Sequence, residues 1–442
     1  MSLSGSAMTR NIQSENYGTT MNRHEIHQSQ RAKLTRLFSV IYNGNSFYQN
    51  KFSGISFDAL NDSLNILPFT TRRELEQDQL NHPPYGTNLS YPVDSYCRLH
   101  QTSGSSGRPL RWLDTEASWD WWKDLWQTIF SAAGVTKSDR LAFPFSFGPF
   151  VGFWGAFDAA AKLGFFVVPA GGMATTARLR MIIENKITVI CCTPTYALRM
   201  IEVAGEENID IANSSVKSFI VAGEPGGHIP EIRSKIESAW NARLFDHSGM
   251  TEIGPLGFEC KDNPADMHLI ESDCIVECID PSTLQSVADG QAGELVITNL
   301  GRLGSPVIRY RTGDQVRLDR SQCKCGRHFV RMLGGINGRI DDMFIVRGNN
   351  VFPSAVEAVI RRFPEVIEFG VEYHQSDSLA KIKIKLEADK SNVSGDNLAG
   401  KVAHAIQETL SFKPEIEIVP ANSLPRFEMK ANRFKKVVIK TI

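Results

Sequence analysis

The sequence predicts an α/β protein: a large N-terminal domain of helix-covered parallel sheets plus a β-rich subdomain, then a small α+β C-terminal domain. Three observations predict it. Between Arg140 and Asp246, short apolar runs of strand length alternate with segments of helical periodicity, and that alternation is the mark of parallel strands joined through covering helices. After Gly293 the helical periodicity gives way to short β segments with polar turns. From Gly338 onward, strand and helix signals follow each other as in a compact unit of its own. The domains are therefore set at residues 8–337 and 338–442, with Met1–Ala7 left aside.

Each element has its own signal. Residues 30–75 alternate helical patterns with loops, and Leu67-Pro-Phe-Thr-Thr-Arg-Arg-Glu-Leu75 places hydroxyls before a carboxylate as a helix start does. Ser95–His100 and Leu110–Leu113 look like strands. Apolar residues recur at helical spacing from Trp119 to Ala133; Arg140–Phe145 and Phe165–Pro169 read as short buried strands around a helix at about Trp154–Leu163. Val189–Cys192, Ser218–Ala222 and Arg243–Asp246 repeat the strand pattern. The β-rich part holds Glu294–Thr298, Val307–Arg309 and Gln315–Leu318. The last unit holds a β pair, a helix at Ser354–Arg362, a strand Ala380–Glu387, a helix near Asn397–Leu410 and a strand Glu415–Val419.

Composition narrows the function. The chain has 442 residues, 42% of them hydrophobic, and a formal net charge of −1 with basic residues scattered, which argues against a dedicated nucleic-acid binder and for small-molecule chemistry. No apolar run reaches the length of a membrane span, and the polar start lacks the apolar core of a signal peptide, so no membrane association and a cytoplasmic location are expected. Eight cysteines without a secretory signal are expected to be reduced thiols used for metal binding or packing.

The segment between the first two strands is the richest in chemistry. Thr102, Ser103, Gly104, Ser105, Ser106 and Gly107 form a hydroxyl- and glycine-dense turn that can bring backbone N–H groups and hydroxyls to a phosphate. Arg108-Pro109 follows it where a Walker A loop would have Lys-Ser/Thr, which disfavours a P-loop enzyme. Further segments occur downstream: Gly223-Glu224-Pro225-Gly226, Ser248-Gly249-Met250-Thr251-Glu252, Tyr310-Arg-Thr-Gly-Asp314, Gly338-Arg339-Ile-Asp341-Asp342 leading to Arg347-Gly348, and Leu424-Pro-Arg-Phe-Glu-Met-Lys430. Alone, Thr251-Glu252 reads as a strand-to-helix cap, Asp314 as a turn residue and Lys430 as a solvated lysine.

Taken together and in order, these segments resemble the adenylate-forming superfamily of acyl-CoA synthetases. Leu67-Pro-Phe-Thr-Thr, Gly223-Glu-Pro-Gly226 and Cys323-Lys-Cys-Gly-Arg327 narrow the resemblance to its phenylacetate-CoA ligase-like branch. The resemblance implies an aryl-CoA ligase using ATP, Mg²⁺ and CoA, with a mobile C-terminal domain that rotates about a hinge at Asp341 between two half-reactions. By the same resemblance, Thr102–Gly107 hold the β- and γ-phosphates, Thr251 touches the α-phosphate, and Glu252 ligates Mg²⁺ as a hard oxygen donor. Asp314 and Arg339 take the ribose, Lys430 reaches the carboxylate and α-phosphate, and Arg347-Gly348 line the approach of the thiol. The nucleotide set also includes Gly223, Glu224, Pro225, Asp246, His247 and Ser248. Ser248 departs from the family, which has an aromatic residue there to stack on adenine; His247 or the Gly223–Pro225 turn is the expected substitute.

Two further expectations complete the reading. Cys260, His268, Cys323 and Cys325 offer three thiolates and an imidazole, the donor set of a closed structural Zn²⁺ site, while Cys97, Cys191, Cys192, Cys274 and Cys278 are expected to be buried packing residues. The ring-rich stretch Phe143–Phe153 should shape the acyl pocket, with Phe147, Gly148, Phe153, Gly249 and Met250 against a flat aromatic acid of benzoate, anthranilate or phenylacetate type. Delivery to a carrier protein or another acceptor, a non-catalytic nucleotide-binding module, and a homodimer stay open as alternatives.

Overall fold

A computed structural model describes residues 21–58, 62–102, 108–346, 349–375, 381–388, 395–427 and 431–438. The large domain is built on one continuous run of strands. Phe166–Pro169, Arg140–Phe143, Val189–Cys192, Ser218–Val221 and Arg243–Met250 are parallel neighbours in that spatial order. Val189–Cys192 and Ser218–Val221 are buried at every position, as parallel strands covered on both faces must be. The covering helices Trp154–Lys162, Thr175–Glu184, Pro194–Glu206 and Pro230–Trp240 connect the strands.

The strand Arg243–Met250 changes partner along its length. Its first half pairs parallel with Ser218–Val221 and its second half antiparallel with Gly254–Cys260. From there the sheet continues antiparallel through Asn263–Leu269, Arg331–Met332, Tyr310–Asp319, Ala292–Asn299 and Cys274–Ile279. The β-rich subdomain is thus an extension of the parallel sheet. Gly338–Arg339 still pairs with Tyr310–Asp319, so the sheet runs two residues past the 337/338 boundary.

The C-terminal unit is a four-stranded sheet in the order Glu415–Val419, Lys381–Ala388, Val366–Gln375, Phe434–Val438. The helices Pro353–Ile360 and Gly395–Leu410 supply Val356, Val359, Ile360, Leu398, Val402 and Ile406 to its core.

Most element boundaries fall within a few residues of the sequence expectation. Two segments differ in kind: Thr251–Ile253 is a tight turn between two antiparallel strands, with no helix after it, and Val307–Arg309, expected as a strand, is the loop that leads into Tyr310–Asp319. Cys97 also departs from the packing expectation, because it lies exposed on the edge hairpin strand Tyr96–Gln101 with its Sγ 3.6 Å from the Asp114 carbonyl.

Candidate functional site

Three of the segments singled out in the sequence follow strands of the parallel sheet at their carboxyl ends, where α/β sheets bind ligands. Residues 144–153 follow Arg140–Phe143, Thr193–Thr195 follow Val189–Cys192, Gly223–Pro225 follow Ser218–Val221, and Thr251-Glu252 end the strand Arg243–Met250. The hairpin Tyr96–Gln101/Arg111–Thr115 brings up the hydroxyl-rich turn. Its base is closed by Thr102, whose N–H donates to the Leu110 carbonyl at 3.0 Å while its Oγ1 accepts from Leu110 N–H at 3.0 Å. Ser103–Gly107, Arg347, Gly348 and Lys430 lie outside the described residues.

Arg72 ties this turn to Thr251-Glu252. Thr71 caps the helix Arg72–Asn81 in a capping box with Glu74, which fixes Arg72 at the first helical position. Thr70 bridges to Tyr310, its N–H donating to the Arg309 carbonyl and its carbonyl accepting from Arg311 N–H, each at 2.9 Å. Phe69 lies under the Arg309 guanidinium at 3.9 Å. So anchored, Arg72 donates to Glu252 Oε1 at 3.1 Å, to Thr102 Oγ1 at 3.0 Å and to Glu76 at 2.8 Å. Tyr310 OH reaches the same Glu252 oxygen at 3.4 Å. The reading of the sequence missed Arg72 and Tyr310; the one signal was their membership in Thr-Thr-Arg-Arg-Glu and Tyr-Arg-Thr-Gly-Asp.

The backbone of Thr251-Glu252 is held from beneath. Arg302 and Asp114 are both fully buried, paired through two hydrogen bonds of 2.7 and 2.6 Å. The same guanidinium donates to the Thr251 carbonyl and, at 3.3 Å, to that of Glu252, with Trp112 and Trp122 flanking it. Asn299 adds a 3.5 Å contact to the Glu252 carbonyl. Glu252 Oε2 has no hydrogen-bond partner among the described residues, so an anionic oxygen suited to a hard cation stays available.

Asp314 and Arg339 also meet. The strand pairing sets them opposite one another, and Arg339 Nη1 donates to Asp314 Oδ1 at 3.1 Å. Gly313 has φ +76°, and a Cβ there would come within 3.0 Å of Arg339 Nη2. Asp341 grips the other edge of Arg339 with two bonds of 2.9 Å. Although burial opposes its charge, these carboxylates raise the Arg339 pKa further above the usual arginine value.

The aromatic set is coherent. Phe145 makes edge contacts with Phe147, Phe150 and Phe153, while Phe147 packs edge-on against Trp154 and Phe157. Phe147 holds a φ of +37°, and a Cβ on Gly148 would meet Phe150 at 2.9 Å. Met250 packs against the same apolar cluster, and a Cβ on Gly249 would meet the Gly254 carbonyl at 2.8 Å. Trp126, missed in the sequence, joins Phe153 to His247, with ring centroids 6.1 and 4.5 Å away. His247 is buried with its Nδ1 2.5 Å from the Gly257 carbonyl, and burial lowers its pKa to about 4 against the pull of that carbonyl and of Asp246. Side chains alternate along a strand, so His247 sits with the aromatic set on the face opposite Ser248. Asp246 accepts from its neighbour's N–H at 3.0 Å and packs on Gly227.

Gly223 takes a φ of +96° and turns Glu224 inward. That carboxylate accepts from Thr195 N–H at the start of the helix Pro194–Glu206 and from Ala431 N–H in the C-terminal unit, each at 2.8 Å. Burial pushes its pKa up, opposed by the Thr195 hydroxyl, by those two backbone bonds and by the Arg433 charge. The side chain is therefore engaged with protein rather than free for adenine. Arg433 is likewise no surface cation: it is buried and clamps Glu368 at 2.7 and 3.0 Å.

The second constellation assembles as expected. The ligand atoms of Cys260, His268, Cys323 and Cys325 all lie within 4.8 Å of one another. Cys260 Sγ is 3.8 Å from Cys323 Sγ, the separation that two Zn–S bonds of about 2.3 Å make at a tetrahedral angle. His268 Nδ1 lies 3.1 Å from the Phe329 carbonyl, which orients Nε2 toward Cys325 at 3.5 Å. No helix among the described residues is long and apolar enough to cross a membrane.

Comparison with known proteins adds independent findings. The AMP-binding enzyme family model matches residues 74–301, and the AMP-binding enzyme C-terminal domain matches residues 348–436. The chain is 28% identical to the phenylacetate-coenzyme A ligase of Thermus thermophilus, covering 92% of this chain and 96% of that one. It is 30% identical to the phenylacetate-coenzyme A ligase of Aromatoleum evansii, covering 83% of each. Crystal structures of 2-hydroxyisobutyryl-CoA ligase, 26% identical, cover 95% of this chain and 91% of their own. The TM-score is 0.89 for the postadenylation state in complex with 2-HIB-AMP and 0.71 for the thioesterification state. Matched through both domains, the chain belongs to the AMP-binding enzyme family and, within it, to the phenylacetate-CoA ligase branch.

Proposed function

We propose that this protein is an aryl-CoA ligase that activates an aromatic carboxylic acid of phenylacetate or benzoate type with ATP and passes the acyl group to CoA. In the first half-reaction a carboxylate oxygen attacks the α-phosphorus and pyrophosphate leaves; in the second the CoA sulfur attacks the acyl carbon, AMP leaves and the thiol proton is released. The observation that carries the reading is Arg72, whose guanidinium spans Thr102 at the base of the hydroxyl-rich turn and Glu252. A cation fixed between those groups supplies preorganised positive charge where pyrophosphate develops.

The other residues take roles that fit their surroundings. Asp314, oriented by Arg339, offers paired oxygens to the ribose hydroxyls. Glu252 would hold Mg²⁺, which would neutralise phosphate charge. Phe147, Phe153, Trp126 and neutral His247 present ring faces and edges to a flat acid, with Gly148, Gly249 and Met250 limiting the slot. Lys430 brings a cation to the reacting carboxylate, and Asp341 is the hinge between domains 8–337 and 338–442. Cys260, His268, Cys323 and Cys325 would hold a structural Zn²⁺, all four positions taken by protein.

Pyrophosphate release measured over a panel of carboxylates, with and without CoA, tests this. Aryl acids should give AMP and pyrophosphate, with an acyl thioester only when CoA is present. Formation of ADP and phosphate instead would overturn the reading.

A further inference from the structure

We infer that Glu224 is a positioning residue for the first half-reaction: its carboxylate latches the Lys430-bearing segment of the C-terminal unit onto the large domain, and lets go for the second. The inference rests on the two-step reading above. Its ground is a junction in which one carboxylate serves two domains. One Glu224 oxygen accepts from Thr195 N–H and the other from Ala431 N–H, each at 2.8 Å. Ala431 directly follows Lys430, so a bond to its amide fixes the backbone one residue from the reacting cation. A side-chain contact farther away would leave several torsions free.

The junction is doubled by a second contact through the same Thr195. Arg433 Nη1 donates to Thr195 Oγ1 at 3.2 Å, while the rest of its guanidinium is committed to Glu368 within the C-terminal unit. Thr195 therefore receives both ends of the latch, its amide on Glu224 and its hydroxyl on Arg433. Thr195 lies in the first turn of the helix Pro194–Glu206, and a carboxylate there faces the helix's positive end. Glu224 keeps that favourable partner when Ala431 departs, so opening strands no uncompensated charge. Apart from Arg339–Asp314 beside the hinge, the cross-domain ion pairs that remain among the described residues, Arg426–Glu202 at 3.6 Å and Arg362–Glu231 at 3.7 Å, are longer and more exposed, and pairs of that kind contribute little.

Glu224→Gln in the full chain is the test, with each half-reaction assayed separately. One oxygen becomes an amide donor facing an N–H, so acyl-AMP formation should fall about ten- to a hundredfold. Thioester formation from pre-made acyl-AMP and CoA should stay within about twofold, and the KM for ATP should hold. Thr195→Val keeps the amide donor to Glu224 but removes the hydroxyl that serves both Arg433 and Glu224, and should slow the same half-reaction a few-fold. Equal losses in both half-reactions would mark Glu224 as merely structural and overturn the proposal. A loss confined to the KM for ATP, with Thr195→Val silent, would assign it to adenine and do the same. Failure of the unsubstituted protein to form acyl-AMP with any acid would instead overturn the two-step reading beneath it.

Discussion

Arg302→Met probes the buried support under Thr251-Glu252. The substitution keeps most of the side-chain volume between Trp112 and Trp122 but leaves Asp114, fully buried, without its two guanidinium bonds. Breaking a buried ion pair from one side costs about 3–5 kcal/mol. For a domain of roughly 320 residues unfolding with about 2.1 cal/mol/K per residue, that lowers the melting temperature by about 4–8 °C. Adding Asp114→Leu removes the stranded charge and should recover most of that loss. Activity should not follow. The Thr251 and Glu252 carbonyls still lack their donor, so acyl-AMP formation in the double variant should remain about tenfold or more below the unsubstituted enzyme. Thermal melts read alongside single-turnover acyl-AMP formation check both halves. A double variant regaining both stability and full adenylation would refute the claim that Arg302 holds the Thr251-Glu252 backbone in its working position.

Four other outcomes are expected. Arg72→Ala should slow pyrophosphate release by about a hundredfold, with Arg72→Lys recovering only part because it cannot span Thr102 and Glu252 together; equal rates for the two variants would count against the bridge. Metal analysis of protein prepared without chelators should find roughly one zinc per chain, and Cys323→Ser should lose it and melt earlier while retaining activity at low temperature. His100 and His247 have folded pKa values lowered by burial from 6.5 to about 4, so the unfolded chain binds protons more readily between those values. Their stability contribution is complete above pH 6.5 and lost as pH falls toward 4, by about 3 kcal/mol each; urea unfolding should show the decline, with a shallower slope in His247→Phe. Lys430→Ala should slow acyl-AMP formation by orders of magnitude yet spare thioester formation from pre-made acyl-AMP, and Asp341→Pro should do the reverse, since proline stiffens the hinge; quench-flow assays of each half-reaction decide it.

What was legible in the sequence follows the range of the physics involved. Buried strands such as Val189–Cys192 and Ser218–Val221 announce themselves because four consecutive apolar residues, Val189–Cys192 and Phe219–Ala222, have few alternatives between turn signals. The metal-donor cluster was legible through the family resemblance together with the donors' chemistry, since a Cys-x-Cys pair alone is more often packing. Glu252, Asp314 and Arg339 were found through motifs, which encode backbone turns as much as side chains. Arg72, Trp126, Arg302 and the true partners of Glu224 were not. Their roles arise from contacts across 180, 121, 51 and 207 positions of chain, respectively to Glu252, His247, Thr251 and Ala431, and local periodicity carries no information at that separation. His247 shows the same limit differently: it was set beside Ser248 by adjacency, whereas strand alternation sends neighbours to opposite faces.

The strand Arg243–Met250 couples two regions of different sheet type. Its first residues complete the parallel sheet and its last begin the antiparallel one, so a register slip at either end would be felt at the other. Thr251-Glu252 and, one and two strands further on, Cys260 and His268 inherit their positions from that single register. A substitution that shifts this register would therefore displace Thr251-Glu252 and the Cys260/His268 pair together, although they lie on different strands. The turn that ends in Glu252 and the cluster of thiols are thus mechanically linked, one strand setting the place of both.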